Sequence, residues 1–232
     1  MMNNKKGFTL VESIMAITLM LIVLAFVAPT LSAATKIFYR LQQDQYAQSI
    51  LDTVMTELRG EANEVNNYIK IYATSELSEE ASASSGTTLE YINNEGYVVL
   101  LSTQGCEKTT LYIGSQANAT VDPVESGQLL KRYYFRNDSD ETYQYQNDDG
   151  LIARAVSTVY GSGFYMGNYL KVTYSLPDTI QPGDKTNQII ATVELYKDQE
   201  CSDLLTSESE ILEFRNEVIV SNQTTIKDLT QS

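Results

Sequence analysis

The chain has no histidine anywhere in its 232 residues. That absence removes Ser-His-Asp and Cys-His catalysis, together with the commonest metal ligand. Cysteine is nearly as scarce. Cys106 and Cys201 are too few and too far apart for a zinc cluster. In an exported chain they can form one disulfide closing a long loop; the plain alternative is two small buried hydrophobes. Basic residues are in short supply as well, 16 against 30 acidic ones, for a net charge of −14. A field of that sign repels phosphate backbones, so no direct nucleic-acid binding is expected. Tryptophan is absent while tyrosine occurs 16 times, which suits strands whose aromatic faces are half wet.

Long apolar runs are also rare: only one stands out. From position 8 to 28 nearly every residue is apolar except Glu12. As a helix this run rises roughly 31 Å, about one hydrocarbon thickness. Lys5 and Lys6 precede it and hold the first residues on the cytoplasmic side. A carboxylate inside such a span costs roughly 2.5–3.5 kcal/mol on insertion scales. Glu12 therefore needs a reason to be there.

A cleaved secretory signal is one reading, with LSAAT offering a cut after Ala34. The run is longer than a signal core and carries a charge. The helical rhythm also continues past Ala34, through Ile37, Phe38, Leu41, Ala47, Ile50, Leu51, Val54, Met55, Leu58, Ala62, Val65 and Ile69. Cutting at Ala34 would split one helix of about sixty residues. Pro29 is expected to kink it, because a mid-helix proline removes a backbone bond. A plain membrane anchor would accept all this, yet leave Glu12 without a role.

The motif KKGFTLVES, with Gly7, Phe8, Glu12 and Pro29 in step, resembles the processing site of type IV pilins and type II secretion or competence pseudopilins. The resemblance covers about thirty residues. It implies cleavage after Gly7 by a prepilin peptidase that also N-methylates Phe8. It implies that Glu12 directs filament assembly, with Lys5 and Lys6 as leader charges and Pro29 as the helix kink. An anion at Glu12 beside a neighbouring subunit's terminal amine would be paired in low dielectric, which biases the free monomer toward the filament. The implied partners are that peptidase, other pilin or pseudopilin subunits, an inner-membrane platform and its motor ATPase. The implied location is the cell membrane by a single pass, then an extracellular filament.

Beyond the helix the composition turns to short β-rich runs. TLEYI and YVVLLS flank an Asn-Asn-Glu-Gly turn, LLKRYYF, TYQYQ and LIARAV suggest a meander, and YLKVTYSL, QIIATVELY and EILEFRNEVIV follow. The expected fold is α+β: a long N-terminal helix, membrane-spanning and then amphipathic, packed on a mainly antiparallel sheet. That architecture is similar to pilin heads. The expected division is a leader at 1–7, a transmembrane segment at 8–30, an amphipathic continuation at 31–72 and a β-rich head at 73–232. The head's LLKRYYF…LIAR order diffusely resembles J-type minor pseudopilins.

No carboxylate spacing marks an acid and a base, so no enzyme and no cofactor is expected. The acidic turns at Asp138, Asp140, Glu141, Asp148 and Asp149 lack calcium-loop spacing, and no metal site is expected. Tyr133, Tyr134, Tyr143, Tyr145, Tyr160, Tyr165, Tyr169 and Tyr174 read as strand packing rather than a binding face. Two other functions stay open: an adhesive tip pilin, and a secreted or anchored β-rich binding protein outside any filament.

Overall fold

A computed structural model of the chain describes residues 9–73, 82–103, 109–113, 120–124, 127–134, 136–137, 142–143, 146–147, 150–153 and 155–222. The chain divides into two compact units, Met1–Tyr46 and Ala47–Ser232. One helix, α1 (Leu10–Glu64), has residues in both.

The first unit is helical throughout its described length beyond Thr9. Leu, Ile, Val, Met and Ala dominate it, and the residues are exposed: Leu10 at 79%, Leu21 at 61% and Phe26 at 73%. Its few hydroxyls turn inward onto the helix's own carbonyls. Thr18 donates to Ile14 O at 2.8 Å, and Thr30 to Phe26 O at 3.1 Å and Val27 O at 2.8 Å. Such back-bonding hides polar hydrogens where no water is at hand. Pro29 lies inside α1, which continues on both sides of it.

The second unit opens with the last third of α1 and passes to strands. They are β1 (Asn66–Tyr72), β2 (Ser85–Gly86), β3 (Thr88–Ile92), β4 (Val98–Thr103), β5 (Thr109–Ile113) and β6 (Thr120–Val124). Next come β7 (Leu129–Tyr134), β8 (Arg136–Asn137), β9 (Thr142–Tyr143), β10 (Gln146–Asn147), β11 (Gly150–Ala153) and β12 (Ala155–Thr158). The last three are β13 (Tyr169–Ser175), β14 (Lys185–Tyr196) and β15 (Leu204–Val220). Nine of them form one sheet in the order β12-β7-β4-β3-β1-β15-β14-β13-β2. Its pairings are antiparallel except β1 beside β15, which run parallel. The fold class is thus α+β, with a long apolar helix packed on a mostly antiparallel sheet.

The helix ends at Glu64, short of the expected 72. Asn66 and Asn67 explain why. Asn67 sits at φ 63 and its N–H donates to Asn66 Oδ1 at 2.9 Å, a conformation asparagine tolerates and helices do not continue. Ile69 and Ile71 then alternate with Lys70 and Tyr72, a two-residue period that belongs to a strand. Helix packing also starts later than expected. Ile37, Phe38 and Leu41 are 61%, 62% and 57% exposed, and burial begins at Ala47.

From there Ile50, Leu51, Val54, Met55 and Leu58 pack into one core with Ile71, Tyr91, Leu101, Val172, Val193 and Leu212. The reverse face of the sheet is buried too, but charged. Lys70, Glu90, Leu100 and Arg132 stand in register across β1, β3, β4 and β7. Glu90 accepts hydrogen bonds from the hydroxyls of Tyr68 and Tyr72, and Lys70 Nζ lies 4.7 Å from the Tyr72 ring centre. Arg132 donates to Ser102 Oγ at 3.4 Å, while its Nε has no partner among the described residues. Buried charge is tolerated at Glu90 because its carboxylate is hydrogen-bonded in this way.

The β3–β4 hairpin turns where Asn93 to Gly96 predicted, with Gly96 at φ 86 and Gly96 N–H donating to Asn93 O at 3.0 Å. LIARAV does not stay in one meander: β11 pairs with β5 and β12 with β7, in different sheets. Gly86 must be glycine, because an added Cβ would meet Tyr72 O at 1.9 Å.

Candidate functional site

The amino-terminal end of α1 is built on the spacing T-L-V-E. Thr9 N–H and Thr9 Oγ1–H both donate to Glu12 Oε2 at 2.9 Å, and Glu12 N–H donates back to Thr9 Oγ1 at 3.3 Å. This is a capping box: residue and cap satisfy each other's free backbone donors. The carboxylate also faces the positive end of the helix dipole. Glu12 is therefore a first-turn residue with partners in its own chain, not an isolated charge in mid-span. Thr9 was missed in the sequence reading, although the T-x-x-E spacing could have revealed it. Lys5, Lys6, Gly7 and Phe8 lie outside the described residues.

Among the described residues, α1 is the one helix long and apolar enough to cross a membrane. No charged residue falls between Glu12 and Lys36.

Within the second unit the densest polar cluster surrounds Glu61 on α1. Lys131 Nζ on β7 donates to Glu61 Oε1 at 2.5 Å, and the Tyr91 hydroxyl on β3 donates to Oε2. Both members of the ion pair are shielded, at 13% and 8% side-chain exposure. Burial works against the Lys131 ammonium, but the Glu61 carboxylate and the Tyr133 hydroxyl together outweigh it and the net shift is upward. Burial, then the Glu61 charge, raises the Tyr91 phenol well above its ordinary value. Tyr174 Oη is buried in the same region, at a cavity of about 10 Å³ that Glu61 and Tyr91 also line, and has no partner among the described residues. No sequence spacing announced this cluster. It joins one helix to strands 30 and 70 residues away. What the contacts show is a clamp, with a carboxylate on the helix holding an ammonium and a phenol on two strands.

Cys201 is disulfide-bonded. It sits at φ 52 in the β14–β15 connection, where the Ser202 N–H donates to Asp198 at 2.9 Å and holds that carboxyl below its usual range. Cys106 lies outside the described residues. Tyr165 and Tyr174 are core side chains, at 2% and 0% exposure. Tyr133 meets Tyr97 edge-on with ring centres 6.5 Å apart, and Tyr160 stacks on Phe164 at 4.2 Å. These contacts are packing. The side chains of Tyr134, Tyr143 and Tyr145, and the acidic turns at Asp138, Asp140, Glu141, Asp148 and Asp149, lie outside the described residues. Among the described residues, no group of three or more His, Cys, Asp or Glu could hold a metal.

A capped, exposed apolar helix followed by a helix-on-sheet head defines a pilin-like architecture. Residues 2–28 match the family model described as the prokaryotic N-terminal methylation motif. That match supports a type IV pilin-like precursor, and with it processing by a prepilin peptidase and assembly with other pilins. Motif and apolar helix together fit a single-pass, membrane-anchored protein that becomes part of an extracellular filament. No curated protein and no solved structure matches the chain.

Proposed function

We propose that this chain is a prepilin, cut between Gly7 and Phe8 and N-methylated on Phe8. It then polymerises through α1 as a minor structural subunit of a type IV pilus or of a type II secretion or competence pseudopilus. The observation that carries this reading is the capped start of an exposed apolar helix lying inside the matched methylation motif. Lys5 and Lys6 orient the leader before cleavage. Cleavage leaves an amine at Phe8 next to the cap. The Thr9 bonds use Glu12 Oε2, so Oε1 is the oxygen left for a neighbouring subunit's amine. An ion pair there is strengthened by the low dielectric of the span. Pro29 supplies the kink, and the inner-membrane platform with its motor ATPase drives assembly from below. With two cysteines in the chain, Cys106 is the partner of Cys201 in this reading, and the bond closes a long loop in the head.

The test is the intact mass and amino-terminal sequence of the protein recovered from its native host. A chain that begins at Phe8 and is heavier by one methyl group supports the prepilin reading. A start at Thr35, or an intact Met1, overturns it in favour of a secreted or anchored protein.

A further inference from the structure

The stretch Lys36-Ile37-Phe38-Tyr39-Arg40-Leu41 is the part of α1 for which neither the span nor the head accounts. It belongs to the first unit and lies before the buried face that begins at Ala47. Ile37, Phe38, Tyr39 and Leu41 are all more than half exposed, with Phe38 and Tyr39 meeting edge-on at 6.4 Å. Lys36 and Arg40 are one turn apart, hence on one helix face, while Ile37 and Leu41 share another. Neither cation is ion-paired to a carboxylate among the described residues.

Length places this stretch at a definite depth. At 1.5 Å per residue, Lys36 lies roughly 39 Å and Arg40 roughly 45 Å along the helix from Leu10. A bilayer with its headgroups measures about 40–45 Å. The uncharged stretch therefore ends, and the cations begin, where the far headgroup layer would be. Immediately beyond come Gln42, Gln43, Asp44 and Gln45, all polar. Aromatic rings with Lys and Arg at such a boundary are what an interface selects, since the rings straddle it and the cations reach phosphate. The choice of cations matters more here because the whole chain is at −14. An acidic protein is repelled by an anionic leaflet unless cations are placed at the surface.

We propose that residues 36–41 form a headgroup-docking belt, in which Lys36 and Arg40 engage phospholipid phosphates of the outer leaflet and Phe38 and Tyr39 lie among the headgroups beside them. The belt rests on the membrane-spanning reading of α1. It fixes the depth of the unassembled subunit, and leaving the membrane for a filament requires releasing it. The absence of tryptophan makes the test clean, because Phe38→Trp creates a single fluorescent reporter in the full chain.

The Phe38→Trp chain is reconstituted in vesicles of phosphatidylcholine alone, or of phosphatidylcholine with phosphatidylglycerol. Quenching by lipids brominated near the headgroup is compared with quenching by aqueous iodide. A Leu19→Trp chain reports separately on the span. Expected for Trp at 38 is quenching by brominated lipid, strengthened by the anionic lipid. The docked-to-undocked ratio should fall about fivefold for each of Lys36→Gln and Arg40→Gln. Iodide quenching of Trp at 38 with no bromine effect, while Trp at 19 is bromine-quenched, overturns the belt and leaves the span intact. Shielding from both quenchers overturns it in favour of a second copy's helix covering this face. If Trp at 19 is itself untouched by brominated lipid, the span reading fails and the belt falls with it.

Discussion

Leu21 and Leu51 are the same residue in the same helix, yet Leu21 is 61% exposed and Leu51 is not exposed at all. The contrast divides α1. From Leu10 to Thr35 it carries one charge, Glu12, and is apolar on nearly every side with its side chains uncovered, the pattern of a helix whose solvent is lipid or other helices. From Ala47 it is amphipathic, with Ile50, Leu51, Val54, Met55 and Leu58 facing a sheet and Gln48, Asp52, Thr56 and Asn63 facing water. Two stretches of one helical sequence therefore obey different solvation rules. Polar groups follow the same division. In the first stretch they are satisfied by the helix itself, as with Thr9 and Glu12 or Thr18 and Ile14. In the second they are satisfied across the fold, as with Glu61, Lys131 and Tyr91.

The contrast is broken most severely by uncoupling the Glu61 cluster. Lys131→Ala leaves a shielded carboxylate without its cation, and should lower head stability by roughly 3–5 kcal/mol. Chemical denaturation of the full chain in detergent, followed by near-ultraviolet tyrosine dichroism, reads this directly. A loss near zero would show that water already compensates Glu61. Next comes the leucine pair itself. Leu51→Ala should cost about 2–5 kcal/mol in the same measurement, through lost burial and a cavity. Leu21→Ala should fall within roughly 0.5 kcal/mol of the parent. Equal effects would mean that the two stretches of helix do not differ as drawn.

Alkaline titration gives a smaller and graded effect. Burial pushes the Tyr165 phenol up to about 12, and Tyr91 and Tyr174 are also raised, chiefly by burial. The unfolded phenol titrates near 10, so above that pH the unfolded chain loses protons that the fold retains. The contribution is complete below about pH 10 and declines as pH rises toward 12. The midpoint denaturant concentration should fall across that window, and a flat profile would contradict the burial of these phenols. The smallest effect is expected at Arg59, whose guanidinium makes two bonds to Glu210, at 2.8 and 2.5 Å, while 49% exposed. Arg59→Ala should cost at most about 1 kcal/mol, and less as salt rises. A larger, salt-independent loss would place this pair with the Glu61 cluster rather than on the surface.

Much of the fold was legible because it is local. The apolar run of α1 and the Asn93–Gly96 hairpin each rest on neighbours within a few residues. The cap at Thr9 and Glu12 was equally local, and the T-x-x-E spacing contained it. Where local signals conflicted, the reading slipped. Val65 and Ile69 continue a helical spacing, but the Asn66–Asn67 turn and the alternation of Ile69 and Ile71 belong to a strand. Periodicity also gave no means of telling that Ile37, Phe38 and Leu41 would stay uncovered while Ile50 and Leu51 were buried, since all fit one helical face.

Chain chemistry alone was enough for the helix, its membrane-length apolar part, the exclusion of histidine-based catalysis and the strand-rich head. Those follow from composition, periodicity and turn residues, whose energetics act over a few neighbours. Strand order did not follow. The first strand, β1, sits between β3 and the last strand, β15, and runs parallel to β15. The Lys70–Glu90–Arg132 layer and the Glu61–Lys131 pair exist only once that order is set. Distant strands meet because the sheet must cover the apolar face of α1 while buried charges such as Glu61 and Glu90 find partners on other elements, and that condition is met only in three dimensions.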